Sequence, residues 1–305
     1  MTAAAGKVCV VHLVRAANGT EPLRVFLDSY RRHPAGLDHE LLLLCKGFGE
    51  RLPDAYEPLL AGVACTRRFI PDRGFDVDAY FQLARDHEAG AYCFLNSFSV
   101  ILADGWLANL HHALERHDAG MVGATGSWQS VTSNYSDTLP KPPFLGTAIP
   151  AWKRILVTWF PFLRPLRLKI WRFLLGGSFG AFPNYHLRTN AFMLRRETAL
   201  AVQVPPMRRK FDTYKFESGR QGLTCQILGM GKPVMVVGRD DRAYDRQDWH
   251  LSNTFWRCNQ ENLLVADNQT RAYDRADRKL RAAHSVIAWG PVADPAYDGE
   301  RGRGA

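Results

Sequence analysis

Apolar residues along the chain fall into two kinds of pattern: short unbroken runs, and longer stretches with apolar positions three and four residues apart. Val8 to Val14, Leu41 to Leu44, Tyr92 to Leu95, Met121 to Ala124 and Pro233 to Val237 are unbroken and rich in β-formers. Runs without polar alternation predict strands covered on both faces, as in a parallel sheet. Between them, Pro22 to about His33, Leu52 to Leu60, Val77 to His87 and Trp106 to His117 carry helical patterns, and Val63 to Ile70 is extended. Trp106, Leu107, Leu110 and Leu114 form one apolar helix face, which predicts core packing. The alternation β-α-β-α-β-α-β up to Leu95 predicts an α/β fold, a doubly wound mixed sheet with helices on both faces.

Beyond Ala124 the pattern loosens. Residues 130–150 are rich in Ser, Thr, Asn and Pro and predict a long loop. Phe182 to Leu194 is strand-like with a polar centre at Arg188-Thr189-Asn190, and Arg195 to Glu197 opens a helix. Phe211 to Gly219 leads into a helix that runs on through Leu223 and Ile227 to Gly229. This divides the chain into a main domain over 1–238 with an insertion at 151–176, a C-terminal extension over 239–290 that packs on it, and a disordered tail over 291–305.

Composition narrows the class. A length of 305 residues can bury a large core, and 46% hydrophobic with 23% charged residues is ordinary for a globular chain. The net charge of +9 implies an anionic partner without choosing among nucleotide diphosphate, anionic lipid and nucleic acid. Six cysteines are scattered with no CxxC pair, which predicts free thiols and a cytoplasmic location. The N-terminus lacks an apolar signal core. Trp152 to Leu175 mixes Lys and Arg with Trp, Phe, Leu and Ile, has no acidic residue, and is interrupted by Pro161 and Pro165. Such a segment can lie peripherally on the inner, anionic face of a membrane. It can equally be a covering helical hairpin whose cations snorkel into solvent.

Candidate chemistry gathers at strand ends. In open α/β sheets ligands bind outside the carboxyl ends of the strands, where Asn96, Ser97 and Ser99 follow the third long run. The competing reading is a turn whose Asn and Ser only satisfy backbone groups. Arg15, Asn18 and Gly19 follow the first strand with donors suited to phosphate, and Trp128 follows the run at Met121 in an aromatic, polar turn.

Taken together, these pieces resemble a glycosyltransferase of the family-2-like, GT-A type. The resemblance rests on the first strand with Asn18-Gly19, on Asp72-Arg73-Gly74 leading to Asp76 and Ala79, on Phe94 to Ser99 followed by Gly105-Trp106-Leu107, on Arg188 to Phe192 with Arg196-Glu197, on Glu217, and on Tyr244 to His250. It implies a nucleotide-sugar donor held by Arg15, Asn18, Asp72, Arg73, Asp76, Asn96 and Ser97. It also implies a carbohydrate or lipid-linked acceptor near Trp128, Arg188 and Asn190, and Glu217 as the catalytic base. His250 matches a region that in some members brings a histidine toward a metal. The family's Asp-x-Asp motif, which holds Mg²⁺ or Mn²⁺, is replaced here by Asn96-Ser97. Neutral oxygens hold hard cations weakly, so weak or absent metal dependence is expected, with Arg15, Lys46 and Arg73 as candidates to neutralise the diphosphate. For Glu217 the competing role is a cap on the helix that follows, and for His250 simple packing beside Trp249.

Two other functions fit the same residues. One is a non-catalytic glycan- or lipid-binding protein on a degenerate transferase fold. The other is a nucleotidyltransferase, which needs clustered carboxylates for two-metal chemistry. Nucleic-acid binding is disfavoured, because the cations cluster in one apolar segment and no nucleic-acid module is recognisable.

Overall fold

The computed structural model describes residues 6–130 and 177–290; the insertion at 151–176, most of the preceding loop and the C-terminal tail lie outside the described residues. The first half of the chain alternates strand and helix as its pattern predicts. Its elements are β1 (Val8–Arg15), α1 (Glu21–Arg32), β2 (His39–Lys46), α2 (Glu57–Leu60), β3 (Thr66–Ile70), α3 (Asp76–Asp86), β4 (Ala91–Leu95), β5 (Val100–Ile101), α4 (Trp106–Arg116), β6 (Met121–Gly123) and β7 (Gly126–Ser127). After the gap come β8 (His186–Leu187), β9 (Ala191–Arg195), α5 (Arg196–Ala201), α6 (Lys210–Ser218), α7 (Leu223–Gly229), β10 (Val234–Val237), β11 (Ala243–Tyr244), β12 (Val265–Ala266), α8 (Asn268–Arg275) and α9 (Arg278–Trp289).

Eight strands form one mixed sheet in the order β11-β10-β6-β9-β4-β1-β2-β3. β3, β2, β1, β4, β6 and β10 run parallel, and β9 lies antiparallel between β4 and β6. Alternation along β1 sets the two layers. Val8, Val10 and Val14 pack with Leu23 and Phe26 of α1 and with Trp106 and Leu110 of α4. Cys9, Val11 and Leu13 pack with Tyr80 and Phe81 of α3, Phe216 of α6 and Ile227 of α7. Helices therefore cover both faces, and the unbroken apolar runs follow from burial on both sides.

The C-terminal extension shares this core. β11 pairs with the β10 edge, β12 pairs with β5, and Leu263 to Ala266 are buried with the β1 layer. No helix among the described residues is long and apolar enough to cross a membrane. All six cysteines are free, with Cys9, Cys45 and Cys93 buried.

Two stretches of the sequence pattern are divided in the structure, and both divisions bear on the site. The strand-like stretch Phe182 to Leu194 divides at its polar centre into two short strands, β8 and β9, joined by Arg188-Thr189-Asn190. The run expected from Phe211 through Gly229 is likewise two helices, α6 and α7, broken between Gly219 and Gly222. At Gly219 a Cβ would stand 2.3 Å from the Lys215 carbonyl oxygen and 3.0 Å from that of Ser178. Only glycine allows this approach, and α6 ends there. Glu217 consequently stands in the last turn of α6 and not at the start of the next helix, so it is no N-terminal cap.

Candidate active site

At the carboxyl ends of β1 and β4 the fold leaves a cavity of about 310 Å³. Its walls come from the turn after β1, the first turns of α3, the turn after β4, the β8–β9 turn, α6, and the start of α8. These six segments are spread along the chain from Arg15 to Gln269. The turns after β1, β3 and β4 meet because parallel strands deliver their following turns to one edge of the sheet, and the antiparallel β9 starts from that same edge.

The turn after β4 is built around Asn96. Its backbone N–H donates to the Asn190 carbonyl at 2.9 Å. Its side-chain Oδ1 accepts from the Phe98 N–H at 2.9 Å and from Ser99 Oγ at 3.2 Å. This is an Asx turn, so the backbone-satisfying role holds for that oxygen. Ser97 differs: its Oγ is buried without a partner, although the residue lines the cavity. Tyr80 of α3 pins the strand end by donating to the Leu95 carbonyl at 3.1 Å.

Glu217 faces this turn from α6. Its Oε1 accepts from the Thr189 N–H at 2.9 Å and from Thr189 Oγ1 at 3.1 Å, which aims the half-buried carboxylate into the cavity. Its neighbours are held neutral. Burial lowers the His186 pKa, with the Glu217 charge opposing, and His186 Nδ1 lies 2.8 Å from the Asn184 carbonyl. Burial raises the Tyr214 pKa, and the Glu217 charge adds to that shift.

Arg188 sits at the junction of the main sheet and the extension. Its Nη2 donates to Asp267 Oδ2 at 2.7 Å, and its guanidinium lies 4.2 Å from the centre of the Phe255 ring. The Arg188 and Asp267 side chains are 9% and 2% exposed, so the pair is desolvated. Asp267 also caps α8, accepting from the Gln269 and Thr270 N–H groups. Asn190 turns its Oδ1 to Thr125 Oγ1 at 2.6 Å. At the mouth, the exposed Lys210 ammonium stands 6.0 Å from the Phe75 ring and 5.6 Å from the Tyr214 ring. No carboxylate of the described residues pairs with it.

Four buried polar atoms on cavity-lining residues have no hydrogen-bond partner: Arg15 Nε, Ser97 Oγ, Asn190 Nδ2 and Thr213 Oγ1. Buried groups are normally satisfied, and each one left unmet costs about 1–3 kcal/mol. All four belong to residues that line this one cavity.

The expected site residues divide accordingly. Arg15, Asn18, Asp76, Asn96, Ser97, Arg188, Asn190 and Glu217 all line the cavity. Asp72 does not, although its carboxylate holds Arg15 at 3.1 Å, and Arg73 and Lys46 do not. Lys46 turns inward, donating to the Gly74 carbonyl at 2.8 Å and standing 3.8 Å from Asp76 Oδ1. It ties the Asp72–Asp76 segment to the end of β2. Trp128 and His250 are elsewhere, their rings 4.8 Å apart. Trp128 packs against Phe182, Tyr185 and Trp289 and donates to the Arg246 carbonyl, and His250 Nδ1 contacts the Gln247 carbonyl at 3.1 Å.

The divalent cation implied by the family resemblance does not suit this turn. Asn96 Oδ1 already receives two hydrogen bonds, Ser97 offers a neutral hydroxyl, and Asp76 is directed toward Lys46. Hard cations are held by oxygen ligands that normally include at least one carboxylate, and this turn supplies none. Lys210, Thr213, Tyr214, Asp267 and Gln269 line the cavity without having been singled out from the sequence. Asp267 had a legible signal, since an Asp directly ahead of a helix is an N-cap pattern. Lys210 had none, because nothing in its local sequence separates it from a solvated lysine.

No family model matches the chain, and no curated protein matches it. Among solved structures it is similar to 4-diphosphocytidyl-2C-methyl-D-erythritolsynthase from Anaerococcus prevotii, with 12% identity over 76% of this chain and 89% of that one and a TM-score of 0.41. It is also similar to residues 1–349 of S. aureus TarS, with 12% identity over 38% of this chain and 34% of that one and a TM-score of 0.31. Likenesses this distant carry no assignment of reaction.

Proposed function

We propose that the chain is a glycosyltransferase that moves a sugar from a nucleoside-diphosphate donor to a carbohydrate or lipid-linked carbohydrate acceptor, with inversion. The observation that carries this reading is the Glu217 carboxylate, oriented by Thr189 and facing the turn after β4 in a cavity with unmet polar groups. Glu217 takes the proton from the acceptor hydroxyl while that oxygen attacks the sugar C1. The bond from C1 to the diphosphate oxygen breaks, and the nucleoside diphosphate leaves with the electron pair. Arg15 and Lys210 face the cavity as cations suited to the departing charge.

The donor set at Asn96-Ser97 supports a weaker dependence on divalent metal than two aspartates would give. Complete loss of turnover in EDTA, restored by Mn²⁺, would contradict that part of the proposal. We further propose that the protein works in the cytoplasm, with 151–176 resting on an anionic membrane face. Liposome sedimentation of the full chain and of a chain lacking Trp152 to Leu175 tests this, and equal binding by both rejects it.

A nucleotidyltransferase is the second reading, because Asp76, Glu217 and Asp267 place three carboxylates around the same cavity. Product analysis separates the two. Release of nucleoside diphosphate from a nucleotide sugar supports glycosyl transfer. Release of pyrophosphate from a nucleoside triphosphate supports the alternative.

A further inference from the structure

A second cluster of reactive side chains lies at the opposite end of the sheet. Cys9 is the second residue of β1, Glu40 the second of β2, and the two are register partners in the parallel ladder. Side chains of such partners leave the sheet on the same face. His87 reaches the same spot from the end of α3. The Cys9 sulfur, a Glu40 oxygen and a His87 nitrogen all lie within 4.8 Å of one another.

Each is held from behind. Glu40 Oε1 accepts from Thr66 Oγ1 at 2.8 Å, and Oε2 lies 3.0 Å from His87 Nε2. The His87 N–H donates to the Leu83 carbonyl at 2.9 Å, and its carbonyl accepts from the Tyr92 hydroxyl. Tyr92 is the register partner of Cys9 on β4, so one row across three strands fixes the cluster. Cys9 is fully buried, while the Glu40 and His87 side chains are 28% and 24% exposed. One side of the cluster is closed and the other opens to water.

We propose that Cys9 Sγ, Glu40 Oε2 and His87 Nε2 form a Zn²⁺ site with its fourth position open to solvent. Zinc accepts this mixture of thiolate, carboxylate and imidazole, whereas Ca²⁺ and Mg²⁺ take oxygen alone. Tetrahedral bonds of about 2.0–2.3 Å put ligand atoms roughly 3.3–3.6 Å apart; Glu40 Oε2 and His87 Nε2 stand 3.0 Å apart now, and all three atoms lie within 4.8 Å of one another. Binding breaks the Cys9 S–H bond and releases that proton to solvent, while the proton that His87 Nε2 now turns to Glu40 leaves it as the neutral ring takes its Nδ1–H tautomer, so Zn–S and Zn–N form with one proton released. The ion would link β1 and β2 to the end of α3, the helix whose first turns carry Asp76 and Tyr80 into the cavity. Its role is to brace that helix from behind, and it stands whether or not the chain is a glycosyltransferase.

The test uses the full chain stripped of metal by a chelator. One equivalent of Co²⁺ is expected to give a near-ultraviolet thiolate-to-cobalt absorption band that Zn²⁺ abolishes, and Zn²⁺ is expected to raise the melting temperature. Cys9→Ser removes the band. His87→Gln weakens binding by at least the roughly 10–100-fold that loss of an outer-shell partner costs. Circular dichroism of metal-free His87→Gln, altered at a partly exposed position, shows whether the fold persists if Cys9→Ser does not fold. Absence of the band in the wild type, or a band unchanged in the His87 variant, overturns the proposal.

Discussion

Glu217→Gln separates the chemistry of this carboxylate from its contribution to the fold. The glutamine oxygen can still accept from the Thr189 N–H and Oγ1, which Glu217 engages at 2.9 and 3.1 Å. Those bonds change from charge-assisted to neutral, and because the residue is half-buried the loss of stability is expected to be about 1 kcal/mol. The loss of basicity is larger. A positioned general base contributes about 10²–10⁴-fold, which corresponds to about 3–5 kcal/mol of barrier. The assay is the rate of nucleoside diphosphate release across a panel of nucleotide sugars, with urea unfolding run in parallel. Turnover should fall by about 10²–10⁴-fold while the urea midpoint stays close to that of the wild type. Thr189→Val, which removes the hydroxyl but keeps the backbone donor, should reduce turnover less. Wild-type turnover in Glu217→Gln would refute the assignment of the base, whatever the donor proves to be.

Other outcomes follow from the same geometry. Arg188→Met leaves Asp267 buried without its cation and is expected to cost about 3–5 kcal/mol in chemical unfolding; Arg188→Met with Asp267→Asn should recover much of that, and an additive loss would disprove the coupling. Lys210→Ala, at an exposed position with no ion pair among the described residues, should leave stability unchanged and lower kcat/KM by about tenfold through loss of one cation facing phosphate, ~1.4 kcal/mol. His12 is buried against Phe26, and burial lowers its pKa to about 3. The unfolded chain therefore binds a proton that the folded chain refuses, and His12 subtracts stability as pH falls below about 6.5. Between pH 7 and 5 that amounts to about 2 kcal/mol, so the unfolding free energy of His12→Phe should depend less on pH than that of the wild type. Equal pH slopes would reject a buried neutral imidazole.

The sequence by itself determined the strands and helices of the first half and the edge of the sheet where a ligand should sit. Unbroken apolar runs and helical spacing record burial, and burial acts locally on every residue that experiences it. β1, β2, α3, β4 and α4 appear within a few residues of their predicted limits for that reason. The same pattern located Asn96 and Ser97, because the end of a strand is visible where the apolar run stops.

What lay between elements was decided only by tertiary structure. Only glycine fits at position 219, where the carbonyls of Lys215 and Ser178 stand too close for a Cβ; α6 ends at Ser218, which leaves Glu217 in a last turn, bonded to Thr189, and not at a helix start. Lys46, a basic residue at a strand end like Arg15, is drawn inward by the Gly74 carbonyl, while Arg15 borders the cavity. Asp267 and Lys210 join the site from segments far along the chain. Hydrophobic spacing records which face of an element is covered; it carries no record of which distant carbonyl, carboxylate or ring will stand opposite a polar side chain, and those partners decide what each polar residue does.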